Sequence, residues 1–263
     1  MGKLSGKVAF ITGASKGIGE GIARVYAKHG AKLVLAARSS ATEELAQELR
    51  ELGFEVIAVK VDVTDVESIQ AGVDKAIETF GKIDVLVNKA GVCKLGSFLE
   101  SSDEDRDFHI DVNIKGVWNT TKLVVPYMIK QSYGKIVIMS SVTGDMVADP
   151  GEVAYATTKA ALIGFTKAMA REVADYNITV NAICPGYVLT PMVKEMALQS
   201  NPENPQSVID GIANAIPMKR LADPVEVGEL AAFLGCDESS YLTGTQMVID
   251  GGSTLPETFT MGV

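Results

Sequence analysis

The chain has 263 residues, of which 47% are hydrophobic and 22% charged, and a formal net charge of −9. That length fits one α/β domain able to bury a full core without staples, and the acidic balance argues against nucleic acid as a partner. No apolar run reaches membrane-spanning length and nothing resembles a signal peptide, so no membrane association and a cytoplasmic location are expected.

The first strand is the apolar run at residues 8–12. It leads into Gly13-Ala14-Ser15-Lys16-Gly17-Ile18-Gly19, and residues 20–29 then have helical composition with Ile22, Ala23, Tyr26 and Ala27 on one face. Strand, glycine-rich turn and helix is the context of a dinucleotide-binding loop: the backbone turns tightly and approaches a pyrophosphate, which the helix N-terminus receives. The spacing here is G-x-x-x-G-x-G. A second strand at residues 32–37 is followed by Arg38. An NAD-binding fold places a carboxylate there for the ribose 2′-hydroxyl. Its absence, with Arg38 following and Lys16 inside the loop, favours a 2′-phosphate and therefore NADP(H) over NAD(H).

Helices at 42–52 and 66–80 flank a third strand at 55–61, and a fourth strand covers 83–88. A long helix is predicted over 105–131, then a strand at 134–140, a helix over 153–176, and strands at 179–184 and 246–250. This alternation predicts a doubly wound Rossmann fold of about seven parallel strands with helices on both faces. Within residues 199–207, Asn201, Pro202, Asn204 and Pro205 interrupt a helical pattern; with Pro191-Met192-Val193 and Ile216-Pro217-Met218 on either side, this suggests a mobile substrate lid at about residues 187–220. The three cysteines, Cys93, Cys184 and Cys236, are an odd number and read as small buried hydrophobes rather than a disulfide framework. His29 and His109 lack ligand-spaced neighbours, so no metal site is expected.

Tyr155 and Lys159 stand four residues apart, on one face of the helix predicted over 153–176. Tyrosine ordinarily ionises near pH ~10, and an ammonium beside it is expected to lower that value, giving a proton donor and acceptor for a carbonyl/alcohol couple.

These features together resemble the short-chain dehydrogenase/reductase family. The landmarks run in order through Gly13–Gly19, Asn88-Lys89-Ala90-Gly91, Asn113, Ser140-Ser141, Tyr155 with Lys159, Pro185-Gly186 with Thr190, and Asp250-Gly251-Gly252. The resemblance implies a catalytic set of Asn113, Ser141, Tyr155 and Lys159. Ser141 would stabilise charge on the substrate oxygen, Lys159 would hold the nicotinamide ribose, and Asn113 would help position a proton-relay water. Cofactor contacts are implied at Gly13, Ser15, Lys16, Gly17, Ile18, Gly19, Arg38, Asp62, Val63, Asn88, Ala90, Gly91, Tyr155, Lys159, Pro185, Gly186, Val188 and Thr190. The separation of Ser141 from Tyr155 is 155 − 141 = 14 residues, one more than the resemblance implies. Either the loop holds an extra residue or Ser140 supplies the hydroxyl; we take Ser141. Lys89 stands where the family usually has a second asparagine. It either adds a cation beside the dinucleotide or points away.

The resulting expectation is NADPH-dependent reduction of an aldehyde or ketone, or the reverse, in a homodimer or homotetramer. Assembly is implied through the two long helices and the last strand, with residues 253–263 reaching a neighbouring subunit. Three rival readings remain. A 3-oxoacyl-thioester reductase needs a basic patch, for which Lys94, Lys194 and Lys219-Arg220 are candidates. A hydroxysteroid dehydrogenase needs an apolar pocket, which Met146, Val147, Tyr187, Met192 and Met196 could line. A non-catalytic NADPH-binding sensor would have lost one of the four catalytic landmarks.

Overall fold

A computed structural model describes residues 2–255, the side chain of Gln199 excepted. The far end of the segment expected to reach a neighbouring subunit, residues 256–263, lies outside the described residues.

Seven strands form one sheet: β1 Val8–Thr12, β2 Lys32–Ala37, β3 Val56–Lys60, β4 Val85–Asn88, β5 Gly134–Met139, β6 Ile178–Pro185 and β7 Gln246–Ile249. All pairings are parallel, in the order β3-β2-β1-β4-β5-β6-β7. A parallel sheet is covered on both faces, so its inner strands can be apolar throughout rather than alternating. β1, β4, β5 and β6 are buried at every residue. Successive side chains still go to opposite faces. Val8 and Phe10 join one core with Val73, Val124 and Leu162, whereas Ala9 and Ile11 join the other with Ile22, Tyr26 and Val227.

The second of these faces is covered by α1 Ile18–Lys28, α2 Ala41–Glu51 and α9 Pro224–Gly235. α1 and α9 cross closely: a Cβ on Gly228 would lie 2.9 Å from the Gly21 carbonyl oxygen. Nearby, the buried Tyr26 hydroxyl donates to Ala231 O at 2.7 Å. The other face is covered by α3 Val66–Phe80, α4 Asp103–His109, α5 Gly116–Lys130 and α6 Val153–Val173. Asp65 caps α3 by accepting from Glu67 N at 3.0 Å, and Gly81 closes it in the left-handed conformation at φ 77°.

The strands fall within two residues of their expected bounds. The helix expected over 105–131 is not continuous. It begins earlier, at the Ser102 cap, and is broken by a π-helical turn, Ile110–Lys115, between α4 and α5. The wider turn lets Asn113 face inward onto the segment after β4 and brings Gly116 against Val63, where a Cβ would lie only 2.8 Å from Cγ2. The helical pattern after β6 is interrupted as expected, but it folds as two helices, α7 Pro191–Ser200 and α8 Pro205–Ala215, with Asn204 accepting from Ser207 N at the start of the second.

The order of strands reverses between β1 and β4, so the crevice of this sheet opens beyond the strand C-termini at that point. The opposite edge is a set of tight turns. Two of them, at Gly53 (φ 90°) and Gly81, have open space around the glycine.

Two glycine substitutions separate crowding from propensity. A Cβ on Gly19 would sit 2.1 Å from the Gly13 carbonyl oxygen, so Gly19→Ala should lower unfolding free energy by about 2 kcal/mol or more. Gly211, inside α8, has nothing within 4 Å, and Gly211→Ala should raise it by up to about 1 kcal/mol. Urea unfolding midpoints of the two variants against the parent test both signs.

Candidate active site

β1 ends at Thr12, whose hydroxyl donates to Val87 O and accepts from the backbone N–H groups of Lys89 and Ala90 at 3.0 and 3.1 Å. One side chain thus ties the glycine loop to the segment after β4. Gly13 then turns at φ 65°, where a Cβ would lie 2.9 Å from Ala90 Cα, and Gly17 opens α1 at φ 59°. Only residues without a Cβ allow this approach. Gly17 faces Thr190, whose methyl would be 3.3 Å from an added Cβ. Thr190 is itself fixed as the N-cap of α7. The loop after β1, the loop after β4 and the start of α7 therefore close on one cleft.

Of the residues expected from sequence, that cleft is lined by Lys16, Gly17, Ile18, Gly91, Ser141, Tyr155, Lys159, Pro185, Gly186 and Thr190. Asn88 lies behind it, donating to Thr121 Oγ1 at 3.0 Å. Asn113 is also buried behind it: its side chain accepts from Val92 N at 2.8 Å and donates to Val92 O at 2.9 Å and to Thr158 Oγ1 at 3.0 Å. Val188 is buried and bridges to Ala222. Arg38, Asp62 and Val63 sit to one side, at the ends of β2 and β3. Arg38 is exposed and approaches Asp62 at 3.7 Å. Asp62 also accepts from the Thr64 amide and hydroxyl, whereas the Val63 side chain packs beneath α5.

The two adjacent serines divide their work. Ser140 Oγ donates to the Lys159 carbonyl at 2.8 Å. Ser141 accepts from Thr143 N at 3.1 Å and lines the cleft beside Tyr155, close enough for its hydroxyl to act on the phenol. Lys159 Nζ lies 5.6 Å from the centre of the Tyr155 ring and donates to Met139 O at 2.9 Å.

The expected depression of the tyrosine pKa is not what this geometry gives. Burial pushes Tyr155 up to about 12, with the Ser141 hydrogen bond acting in the opposite sense. Lys159 is itself pushed down to about 8 by burial and by the neighbouring Lys89 ammonium. A lysine so enclosed lends its neighbour less positive charge than an exposed one would.

Sequence reasoning left Lys89 undecided and misread Cys93. Lys89 lines the cleft, and enclosure together with Lys16 holds its pKa at about 8. Cys93 is half-buried and lines the cleft too, unlike Cys184 and Cys236, which are buried as expected. Burial and the Glu152 carboxylate push the Cys93 thiol up to about 11. Ser140 and Met192, both singled out from sequence, line it too, and Val92, Met139 and Pro191 complete the walls. Each of the last three is a direct sequence neighbour of a landmark residue, which was the only available signal. His109, unassigned from sequence, is buried and holds the same wall: Nε2 accepts from Lys94 N at 3.0 Å and Nδ1 donates to Asp105 O at 2.7 Å. No helix among the described residues is long and apolar enough to cross a membrane.

Comparison with known proteins agrees with this geometry. Residues 13–254 match the family model described as enoyl-(acyl carrier protein) reductase. The chain is 66% identical to oxidoreductase UcpA of Salmonella typhimurium over 263 residues, all of both chains. It is 41% identical to 3-oxoacyl-(acyl-carrier-protein) reductase FabG of Thermotoga maritima, over 95% of this chain and 98% of that one. Among solved structures, the aldohexose dehydrogenase of Thermoplasma acidophilum superposes with a TM-score of 0.90 at 32% identity, covering 99% of this chain and 98% of that one. The chain belongs to the short-chain dehydrogenase/reductase family of oxidoreductases.

Proposed function

We propose that this enzyme interconverts a small carbonyl compound and its alcohol with NADP(H) in preference to NAD(H), using Tyr155 as the proton donor and acceptor. The observation that carries the reading is that Ser141, Tyr155 and Lys159 line one cleft whose other wall is a glycine loop shaped for close backbone approach. The crowding around Gly13, Gly17 and Gly19 means that only glycine lets the loop turn this tightly against its neighbours, which is what close backbone approach to a dinucleotide requires. Gly13, Ser15, Gly17, Ile18, Gly19, Ala90, Gly91, Pro185, Gly186, Val188 and Thr190 would hold the dinucleotide. When bound, the nicotinamide supplies or accepts the hydride.

In reduction, the Tyr155 hydroxyl gives its proton to the substrate oxygen as charge develops there, and the Ser141 hydroxyl donates to the same oxygen. A phenol kept protonated by burial suits the reductive direction. Lys159, anchored to Met139 O, would face the nicotinamide ribose, and Asn113 fixes Val92 at the wall. The ends of β2 and β3 support the choice of cofactor. No carboxylate closes β2, Arg38 is exposed there, and its long contact with Asp62 is of a kind that contributes little.

A small neutral substrate is favoured over a protein-bound acyl chain. Of the candidate cations, Lys94 pairs with Asp105 and Arg220 with Glu226, so neither offers free charge to an acidic carrier. The segment 187–220, now α7, α8 and their flanks, would serve as the substrate lid. Self-association through α5 and α6 is supported by Trp118, 56% exposed yet packed on Phe165 at 5.7 Å between ring centres. We place the enzyme in the cytoplasm.

Three outcomes test this. Tyr155→Phe should lower kcat by about 10²-fold or more with NADPH affinity retained. Near-parental turnover in that variant removes Tyr155 as the acid. Arg38→Asp should weaken NADPH by about tenfold or more and leave NADH unchanged or tighter. Equal affinity of the parent for both cofactors counts against the preference. Finally, Lys89 and Lys159 lose their protons as pH rises through about 8, leaving less positive charge to meet an anionic cofactor. The Kd for NADPH should therefore rise several-fold between about pH 7 and pH 9.5, and a flat profile contradicts the placement of those charges.

A further inference from the structure

Lys89 is the one clear departure from the family pattern among the cleft residues, and its position suggests what it contributes. Its backbone is fixed by Thr12, which accepts from its N–H at 3.0 Å. Its side-chain stem runs over the glycine loop, since a Cβ on Gly13 would lie 3.2 Å from Lys89 Cδ. The ammonium is close enough to both Lys16 and Lys159 for their charges to act on one another. Among the described residues, neither the Lys89 nor the Lys16 ammonium is paired with a carboxylate, although the chain carries 33 acidic residues against 24 lysines and arginines. Cations gathered in a half-enclosed cleft without counter-charge repel one another and are costly unless an anion joins them.

The order of groups along a dinucleotide identifies that anion. Its pyrophosphate lies covalently between its two riboses. Under the reading above, Lys16 belongs to the adenosine end and Lys159 to the nicotinamide ribose. A cation whose stem crosses the glycine loop and which lines the same cleft as both therefore faces the middle of the molecule. We propose that Lys89 is a further cationic cofactor contact beside Lys16, Arg38 and Lys159, whose ammonium donates to the pyrophosphate between the groups held by Lys16 and Lys159. An asparagine at this position offers a neutral amide donor. Lysine adds a full charge and so a stronger bond. The pyrophosphate is common to both cofactors, so this contact strengthens NADPH and NADH binding alike and is separate from the choice made at Arg38.

This inference rests on the proposed cofactor site, and one titration series distinguishes the two. NADPH and NADH are titrated by nucleotide fluorescence into the parent, Lys89→Asn, Lys89→Arg and Arg38→Asp at low and high salt, with thermal unfolding to confirm that each variant folds. Lys89→Asn should weaken both cofactors about tenfold, by equal factors, and flatten the salt dependence, while Lys89→Arg retains most of the affinity. Loss confined to NADPH assigns Lys89 to the 2′-phosphate and overturns the proposal. Unchanged affinity for both cofactors in folded Lys89→Asn overturns it as well. A parent that binds neither nucleotide overturns the cofactor site itself, and this inference with it.

Discussion

Two hydrogen bonds between the C-terminal end of β5 and α6 determine where the chemistry can occur. Lys159 donates from its ammonium to the Met139 carbonyl, and Ser140 donates from its hydroxyl to the Lys159 carbonyl. Each element supplies one donor and one acceptor, so the helix cannot slide or rotate against the strand without losing both. Hydrogen bonds from charged donors contribute about 1.5–3 kcal/mol, and this one also satisfies an ammonium far from water. With α6 fixed, Tyr155 one turn earlier is fixed as well. Ser141, just beyond the end of the strand, then lines the cleft beside it. The conformation of Lys159 is thus first a structural matter, and its nearness to the phenol follows from it.

The cleft concentrates positive charge within a protein of net negative charge. Several carboxylates on outer helix faces pair with arginines and lysines, as Glu20 and Glu48 do with the half-buried Arg24. Among the described residues, the lysines of the cleft have no such partners. A local cationic patch inside an acidic surface draws an anionic cofactor to one place rather than to the whole molecule. Enclosure also makes the charge of Lys89 and Lys159 sensitive to mildly alkaline pH.

Much of this was legible in the sequence because a parallel sheet leaves strong traces. Val8 to Thr12 and Lys32 to Ala37 are continuous apolar runs bounded by glycine or charge, and their bounds agree with the strands found. The choice between Ser140 and Ser141 could not be closed from alternation alone. It depends on which hydroxyl meets the Lys159 carbonyl, a contact 19 residues apart in sequence. The π-helical turn at Ile110–Lys115 has the same apolar spacing as an ordinary helix, so only the inward pull of Asn113 on Val92 distinguishes it. Cys93 was misread because its exposure depends on how the segment after β4 leaves the sheet. The raised pKa of Tyr155 was hidden for a related reason: spacing places Lys159 on the same face but does not say where its ammonium points.

The turns at the edge away from the cleft have a practical consequence. Gly53 and Gly81 sit in left-handed turns with no atoms crowding them, at the far ends of strands whose other ends carry the chemistry. Exposed loop tips of this kind tolerate inserted chain best. A peptide handle or surface anchor introduced at either turn would orient every molecule with its cleft facing solution. The length of the strands would separate the attachment point from the reacting groups, so the protein is built for directional immobilisation.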